Sequence, residues 1–297
     1  MNPTRPLLSP PLSSQIPAKQ SITALTRRLF QLPTPPANPS PSHSDLPSFL
    51  THAARTALPE STTTYQGTIY EYTVQSHLRA SAFNLHRVGG RSDLGVDLQG
   101  TWHVGPNPVL DSPVRVVVQC KALKTKIGPN VVRELEGVTA RHFTPSGGAG
   151  VLVSPREATK GVRGALGRSG MPLVWMMVGR DGRLMQALWN GRVEGLGLGG
   201  LGVELLYPGD LGEDGDRRSK GEARLTWQGE GVQTMDEVEE GMRRLEEKWM
   251  AKWEGKGLGD ISEEKMLDAV DAIVPGTRPV TISEEEREAV VRSLLSA

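Results

Sequence analysis

The run Val114-Arg115-Val116-Val117-Val118-Gln119-Cys120-Lys121 constrains the fold more than any other segment of this chain. β-Branched side chains are stiff at χ1 and pack well on a pleated backbone, so the stretch to Leu123 reads as a strand. Successive side chains of a strand alternate between its faces. Gln119 and Lys121 therefore share one face, and Val116, Val118 and Cys120 take the other. Cys120 is accordingly a small core residue rather than a nucleophile. Two polar groups at the end of so apolar a strand call for a reason.

Around this strand the periodicity is regular. Residues 64–80 read as a helix, with Ile69, Val74 and Leu78 supplying apolar positions. Residues 83–88 form a strand ended by Gly89-Gly90, and 95–104 form another. Gly128-Pro129 opens a helix to about His142, with Pro at the first helical position. A strand at 150–154, a helix at 159–168 and a strand at 173–178 complete the order α-β-β-β-α-β-α-β. That order predicts an α/β domain with a mixed central sheet flanked by helices. Beyond Tyr207 the character changes: 209–224 is Gly- and charge-rich and reads as a linker. Residues 236–253, 262–273 and 283–295 read as charged helices, with Ser283 and Glu286 in capping-box spacing. The expected division is a leader and disordered linker over 1–44, the α/β domain over 45–208 and an acidic helical region over 209–297.

Charge follows this division. Of the 297 residues, 1–209 carry 21 Lys+Arg against 12 Asp+Glu, while 210–297 carry 13 against 22. A basic middle with an acidic tail is the asymmetry expected where one part meets a polyanion. The first 44 residues hold Arg5, Lys19, Arg27 and Arg28 but no acid, and Ser21 to Phe30 has the pattern of a short basic amphipathic helix. That composition points to the mitochondrion. No run of 18 apolar residues exists to span a bilayer. The single cysteine excludes an intramolecular disulfide and a multi-cysteine zinc cluster.

If the strands holding Asp97 and Gln119 pair as a hairpin, Asp97, Gln119 and Lys121 converge on one spot. Such a cluster suits phosphodiester hydrolysis. A hard cation such as Mg²⁺ takes carboxylate and carbonyl oxygens and keeps waters that can be activated. Asp97 offers the carboxylate, Gln119 an amide oxygen, and Lys121 a charge to hold water or stabilise the phosphate. Glu71, with Gly67 and Gln75 one turn away on the same helix face, can supply a second carboxylate. Lys124 and Lys126 precede the helix that starts at Pro129, and a helix N-terminus beside two lysines is a seat for phosphate. Lys160, Arg163 and Arg168 extend the basic surface, and Arg87 and Arg91 flank the Gly89-Gly90 turn. Contacts of this kind position a nucleic acid without reading its sequence.

Taken in order, Gly67-x3-Glu71, Gly95-Val96-Asp97 and Gln119-Cys120-Lys121 resemble the E…GVD…QxK pattern of Mrr-type restriction-endonuclease-like proteins, a branch of the PD-(D/E)xK nucleases. The Val-Arg-Glu-Leu-Glu-Gly helix segment at 132–137 and the Val151-Leu152-Val153-Ser154 strand resemble that group too. With its basic leader and helical tail, the whole is similar to the fungal mitochondrial "required for respiratory growth" family. The resemblance spans residues 65 to about 180. It implies a restriction-endonuclease-like core and Mg²⁺- or Mn²⁺-dependent cleavage of mitochondrial DNA. Asp97 would be the main metal ligand, Glu71 an auxiliary one, Gln119 a neutral one and Lys121 the catalytic lysine. Gln119 stands where most of the wider superfamily carries an acid, which should weaken metal binding. Two alternatives stay open: a non-cleaving nucleic-acid-binding module, and a respiratory assembly or maintenance factor using its acidic helices on a protein partner. Cutting a duplex with one such site calls for a homodimer or two successive nicks.

Other signals are set aside. Gly197 to Gly202 fits the letters of G-x-G-x-x-G, but a strand-like segment follows where a dinucleotide site needs a helix. Trp102, Trp175 and Trp189 lie in strand-like segments and read as core, and Trp249 and Trp253 as packing positions on a charged helix.

Overall fold

Three consecutive valines, Val116, Val117 and Val118, are at most 1% exposed. A strand buried on both faces needs a layer on each side. The computed structural model describes residues 22–90, 95–144, 147–207, 221–257, 261–276 and 281–296. Its elements in chain order begin with helices α1 (Ala24–Leu29), α2 (Leu46–Arg55) and α3 (Thr63–His77). Strands β1 (Phe83–Arg87), β2 (Leu98–Trp102) and β3 (Val114–Cys120) follow, then α4 (Pro129–His142), β4 (Ala149–Ser154), α5 (Lys160–Arg168), β5 (Leu173–Val178) and β6 (Leu184–Trp189). A second group comprises β7 (Leu201–Leu206), β8 (Glu222–Trp227), β9 (Glu230–Gly231), α6 (Met235–Glu254), α7 (Glu263–Ile273) and α8 (Glu284–Leu295).

The main sheet has the order β1-β2-β3-β4-β5-β6. β1, β2 and β3 run antiparallel as hairpin neighbours, β3, β4 and β5 are parallel through the α4 and α5 crossovers, and β6 returns antiparallel. The expected mixed α/β sheet is therefore present. On one face Tyr70, Val74 and Leu78 meet Leu85, Leu98, Val116, Val118, Val151 and Val174. On the other, Val131, Val132, Leu135, Val162 and Leu166 cover Leu152 and Trp175, while Val138 covers Val117. Each large side chain so buried contributes on the order of 1.5–3 kcal/mol.

Local sequence explains the element ends. Gly128 is the N-cap of α4 and Pro129 its first residue, where the missing N–H costs nothing. Thr159 caps α5 by accepting from the Val162 N–H. α3 lacks a clear apolar stripe because both its sides are covered. Tyr70 and Val74 face the sheet, while Tyr65 and Tyr72 meet Phe49 of α2. The sequence pattern does not mark α2, which rests on an Asp45/Ser48 capping box with Pro47 in its first turn. The strand β7 begins at Leu201, inside the Gly197–Gly202 run, so no helix opens there.

Two boundaries differ from expectation. β8 begins at Glu222, inside the stretch expected to be linker, and pairs antiparallel with β7, while residues 208–220 lie outside the described ones. Its Ala223 and Leu225 belong to the main core, so the α/β layer extends past residue 208. The second difference is at the other end of the chain. The basic helix expected as part of a leader forms, as α1, but it is built into the C-terminal helical layer. Leu25, Leu29, Phe30 and Leu32 are buried among Met242, Trp249, Trp253, Val270 and Val290. Phe30 stacks on Trp249 at 5.2 Å. The Leu25 N–H donates to Glu263 Oε1, Thr26 Oγ1 to Glu246 Oε2, and Arg28 to Asp271 Oδ1 and the Val274 carbonyl. Charged helices that expose acids outward need an apolar centre, and α1 supplies part of it. Leu29→Ala should therefore lower stability by about 2–5 kcal/mol, read as a shifted urea midpoint for the C-terminal helices. An unchanged midpoint would show α1 to be a detachable leader.

Candidate functional site

The carboxyl ends of parallel strands, where following helices begin, are where open α/β sheets collect ligands. Here that place is the end of β3. Lys121 follows the last residue of the strand, and its N–H donates to the Val153 carbonyl of β4 at 2.8 Å. The alternation expected along β3 is observed. Val116 and Val118 join the α3-side core with Cys120 packed against it, whereas Gln119 and Lys121 turn toward α4.

Glu134 in the second turn of α4 gathers both polar side chains. Its Oε1 accepts from Gln119 Nε2 at 2.7 Å and lies 3.3 Å from Lys121 Nζ. Gln119 is 2% exposed, and its Oε1 is buried with no hydrogen-bond partner. A buried amide oxygen left without a donor costs roughly 1–3 kcal/mol, a cost that Gln75 Oε1 on α3 bears as well. Glu134 was not expected at the site, although it stands inside the helix segment that carries part of the family resemblance. The missing signal is spatial: only the crossover geometry brings the second turn of α4 back to the end of β3.

Asp97 lies just ahead of β2 and is fixed through its backbone. Its carbonyl accepts from the Val88 and Gly89 N–H groups, each at 2.9 Å, and its own N–H donates to the Val118 carbonyl. Its Oδ2 accepts from the Cys120 N–H at 2.6 Å. Thus the hairpin of β2 and β3 brings Asp97 to the Gln119–Lys121 end.

Glu71 reaches the same end from α3. Its Oε2 pairs with Arg87 Nε at 2.5 Å, and both side chains are largely buried. A Cβ on Gly89 would lie 3.3 Å from both this Oε2 and the Asp97 Cα, so glycine lets the two acids approach. Gly95 has φ +86°, a conformation that glycine tolerates best. A Cβ there would also stand 3.4 Å from Gln119 Nε2. Arg87 therefore acts as the partner of Glu71 here, and Arg91 lies outside the described residues.

Both acids are felt at the neighbouring thiol. Burial pushes the Cys120 thiol well above its ordinary value, Asp97 and Glu71 push it further, and Lys121 opposes them. Among the described residues no three His, Cys, Asp or Glu side chains are grouped so as to hold a metal ion. A cation at this end would draw on one or two carboxylates, the orphaned Gln119 amide oxygen and water. That is a donor set Mg²⁺ accepts, since it keeps several waters and needs few protein ligands.

The expected basic residues lie on the surface. Lys124, Lys126, Lys160 and Arg163 are all exposed, as is Arg168. The loop carrying Lys124 and Lys126 is tied to the start of α5: Arg156 Nη2 donates to the Lys124 carbonyl, and Thr159 Oγ1 to the Ile127 carbonyl. Arg163 Nε is spent partly on the Ala158 carbonyl at 3.2 Å. Arg180 bridges Gln66 of α3 and the Ala122 carbonyl, and with Arg156 it extends the basic surface beyond what the sequence pattern indicated.

With this geometry in view, comparison with known proteins is informative. The family model of required for respiratory growth protein 7 matches residues 62–112 and 106–207, the segment that builds α3 to β7 and holds every site residue named above. Over those residues, just under half of its length, the chain is similar to this family. A mitochondrial protein of Schizosaccharomyces pombe is 38% identical over 156 residues, which is 52% of this chain and 62% of that relative. Required for respiratory growth protein 7 of Saccharomyces cerevisiae is 26% identical over 174 residues, covering 44% of this chain and 72% of that protein. The match thus spans less than two thirds of the fission yeast relative's length. Both relatives are named mitochondrial, the compartment expected from the acid-free leader. No solved structure matches.

The raised thiol gives a direct check on the site's electrostatics. Only the thiolate is nucleophilic. Cys120 should therefore react with iodoacetamide at pH 8 at least about tenfold more slowly than glutathione, and at the glutathione rate in urea. Equal rates in the folded protein would contradict the placement of the thiol between burial and two carboxylates.

Proposed function

We propose that this chain is a divalent-cation-dependent nuclease of the restriction-endonuclease-like kind, acting on mitochondrial nucleic acid, with DNA as the favoured substrate. The carrying observation is the buried, unpartnered Gln119 amide oxygen beside Asp97 and the Lys121–Glu134 pair. A sheet end that serves packing alone has no need of this set, because apolar residues there would cost less.

Asp97, Glu71 and the Gln119 amide oxygen are the residues that would hold Mg²⁺ or Mn²⁺. Such a cation supplies Lewis acidity at the phosphoryl oxygen and a more acidic bound water. Lys121 places its ammonium where negative charge grows on the phosphate, and Glu134 orients it. Lys124, Lys126, Lys160 and Arg163, with the N-termini of α4 and α5, hold the phosphate backbone. None of these groups reads a base edge, so cleavage should show little sequence preference. The Saccharomyces cerevisiae relative is named as required for respiratory growth, the process that such an activity would serve.

One observation favours a second reading, a fold kept for binding without cleavage. Glu71 is paired with Arg87, Glu134 with Lys121, and Asp97 Oδ2 is occupied by a backbone amide. Purified full chain, Lys121→Ala and Asp97→Ala, each incubated with supercoiled plasmid in Mg²⁺, Mn²⁺ or EDTA, separates the two. The nuclease predicts metal-dependent nicking that falls by at least about 10²-fold in either variant. Plasmid shifted in a gel but left intact in every metal would establish binding without cleavage.

A further inference from the structure

The solvent face of β1 and β2, away from α3, is covered by the segment that follows α1. Leu32 is buried in the C-terminal helical core, and Pro33, Thr34, Pro35 and Pro36 then run across the sheet. Beneath them lies a cavity of about 110 Å³. At roughly 30 Å³ for each water, that is room for three or four waters or for one tetrahedral oxyanion.

Its walls are unusual in charge. Arg27 comes from α1, His86 from β1 and Arg115 from β3, with Asn84, Gln99 and Thr34 adding polar groups. None of the described residues lining it is acidic. The His86 ring makes no hydrogen bond to a described residue, and the exposed Arg115 guanidinium lies over the Phe143 ring at 5.4 Å. Arg27 donates to the Pro33 carbonyl of the strap at 3.4 Å, and the Glu239 carboxylate that it feels is held by Arg79 at 2.7 Å. Two guanidiniums beside one imidazole repel each other less when an anion sits between them. Burial first, and then the Arg27 and Arg79 charges, push the His86 imidazole below its ordinary value.

The floor is also built for close approach. A Cβ on Gly100 would fall 1.9 Å from the Asn84 carbonyl oxygen, so only glycine allows β1 and β2 to meet there. Pro33, Pro35 and Pro36 make a stiff roof with few N–H groups of their own. The cavity is separate from the candidate nuclease site. Arg115 and Lys121 share a face of β3 but stand six residues apart, roughly 20 Å along the strand at about 3.3 Å per residue.

We propose that this cavity is a binding site for a phosphate group, held by Arg27, His86 and Arg115 under the proline strap. Arg guanidinium forks match phosphate oxygens bidentately, and the half-buried imidazole adds a third donor that can respond to the anion's charge. The phosphate can come from free phosphate or from a nucleic-acid backbone, and the two sources are separable by experiment. The site does not depend on the nuclease reading, since neither metal nor cleavage enters it.

The test uses the full chain in EDTA, so that no cleavage occurs. Inorganic phosphate and pyrophosphate are titrated calorimetrically, and the His86 ring signal is followed by NMR. A short single-stranded oligodeoxynucleotide is titrated in parallel. Arg115→Gln and His86→Gln are compared with the unaltered chain, with circular dichroism confirming that each remains folded. The expected result is saturable phosphate binding that moves the His86 signal and weakens at least about tenfold in both variants. Oligonucleotide affinity that falls in the same variants assigns the phosphate to a nucleic-acid backbone, and unchanged oligonucleotide affinity assigns it to free phosphate. A His86 signal that no phosphate moves, or phosphate affinity equal in all three proteins, overturns the proposal.

Discussion

Strand β3 is the interaction on which the rest of the molecule depends. Its valines are sealed between α3 on one side and α4 on the other, and its backbone bonds β2 antiparallel and β4 parallel. It is thus the seam between the hairpin half and the crossover half of the sheet. Because the seam is fixed, so are the residues at its end. Gln119 and Lys121 have no choice of face once Val116 and Val118 are committed to the α3-side core. Asp97 arrives through the hairpin and Glu134 through the first crossover, so the site combines both halves.

The second constraint is the small α1 helix. Six residues are too few to be stable alone, and α1 persists by filling the apolar centre of α6, α7 and α8. In return it carries Leu32 and the proline strap onto the main sheet, and Arg27 into the cavity there. The C-terminal layer is linked to the α/β layer a second time where Arg79, after α3, pairs with Asp236 and Glu239 of α6. The acidic tail therefore spends part of its charge on the molecule's own arginines.

Much of this was legible in the sequence wherever periodicity and punctuation agreed. The limits of α4 follow from Gly128-Pro129, the faces of β3 from strict alternation, and α8 from Ser283 and Glu286, whose capping box is formed. Trp102 and Trp175 are fully buried, as strand tryptophans should be. What stayed hidden depends on distant packing. α3 lacks an amphipathic stripe because α2 covers its second side. β8 looks like linker because only alternate residues of a short, charged segment face the core. Glu134, Arg156 and Arg180 join the candidate site through crossovers and loop closures that no local pattern encodes. The role of α1 was obscured because a basic amphipathic helix has the same composition whether it serves as an address or as a core element.

The central claim is that the end of β3 can hold a divalent cation through Asp97. Calorimetric titration of Mn²⁺ into the full chain and into Asp97→Ala, without nucleic acid, tests it most directly. The account predicts one saturable site per chain that the substitution abolishes while the protein stays folded. Identical titrations, or no heat from either protein, would contradict it and leave the end of β3 as a polar network serving structure alone.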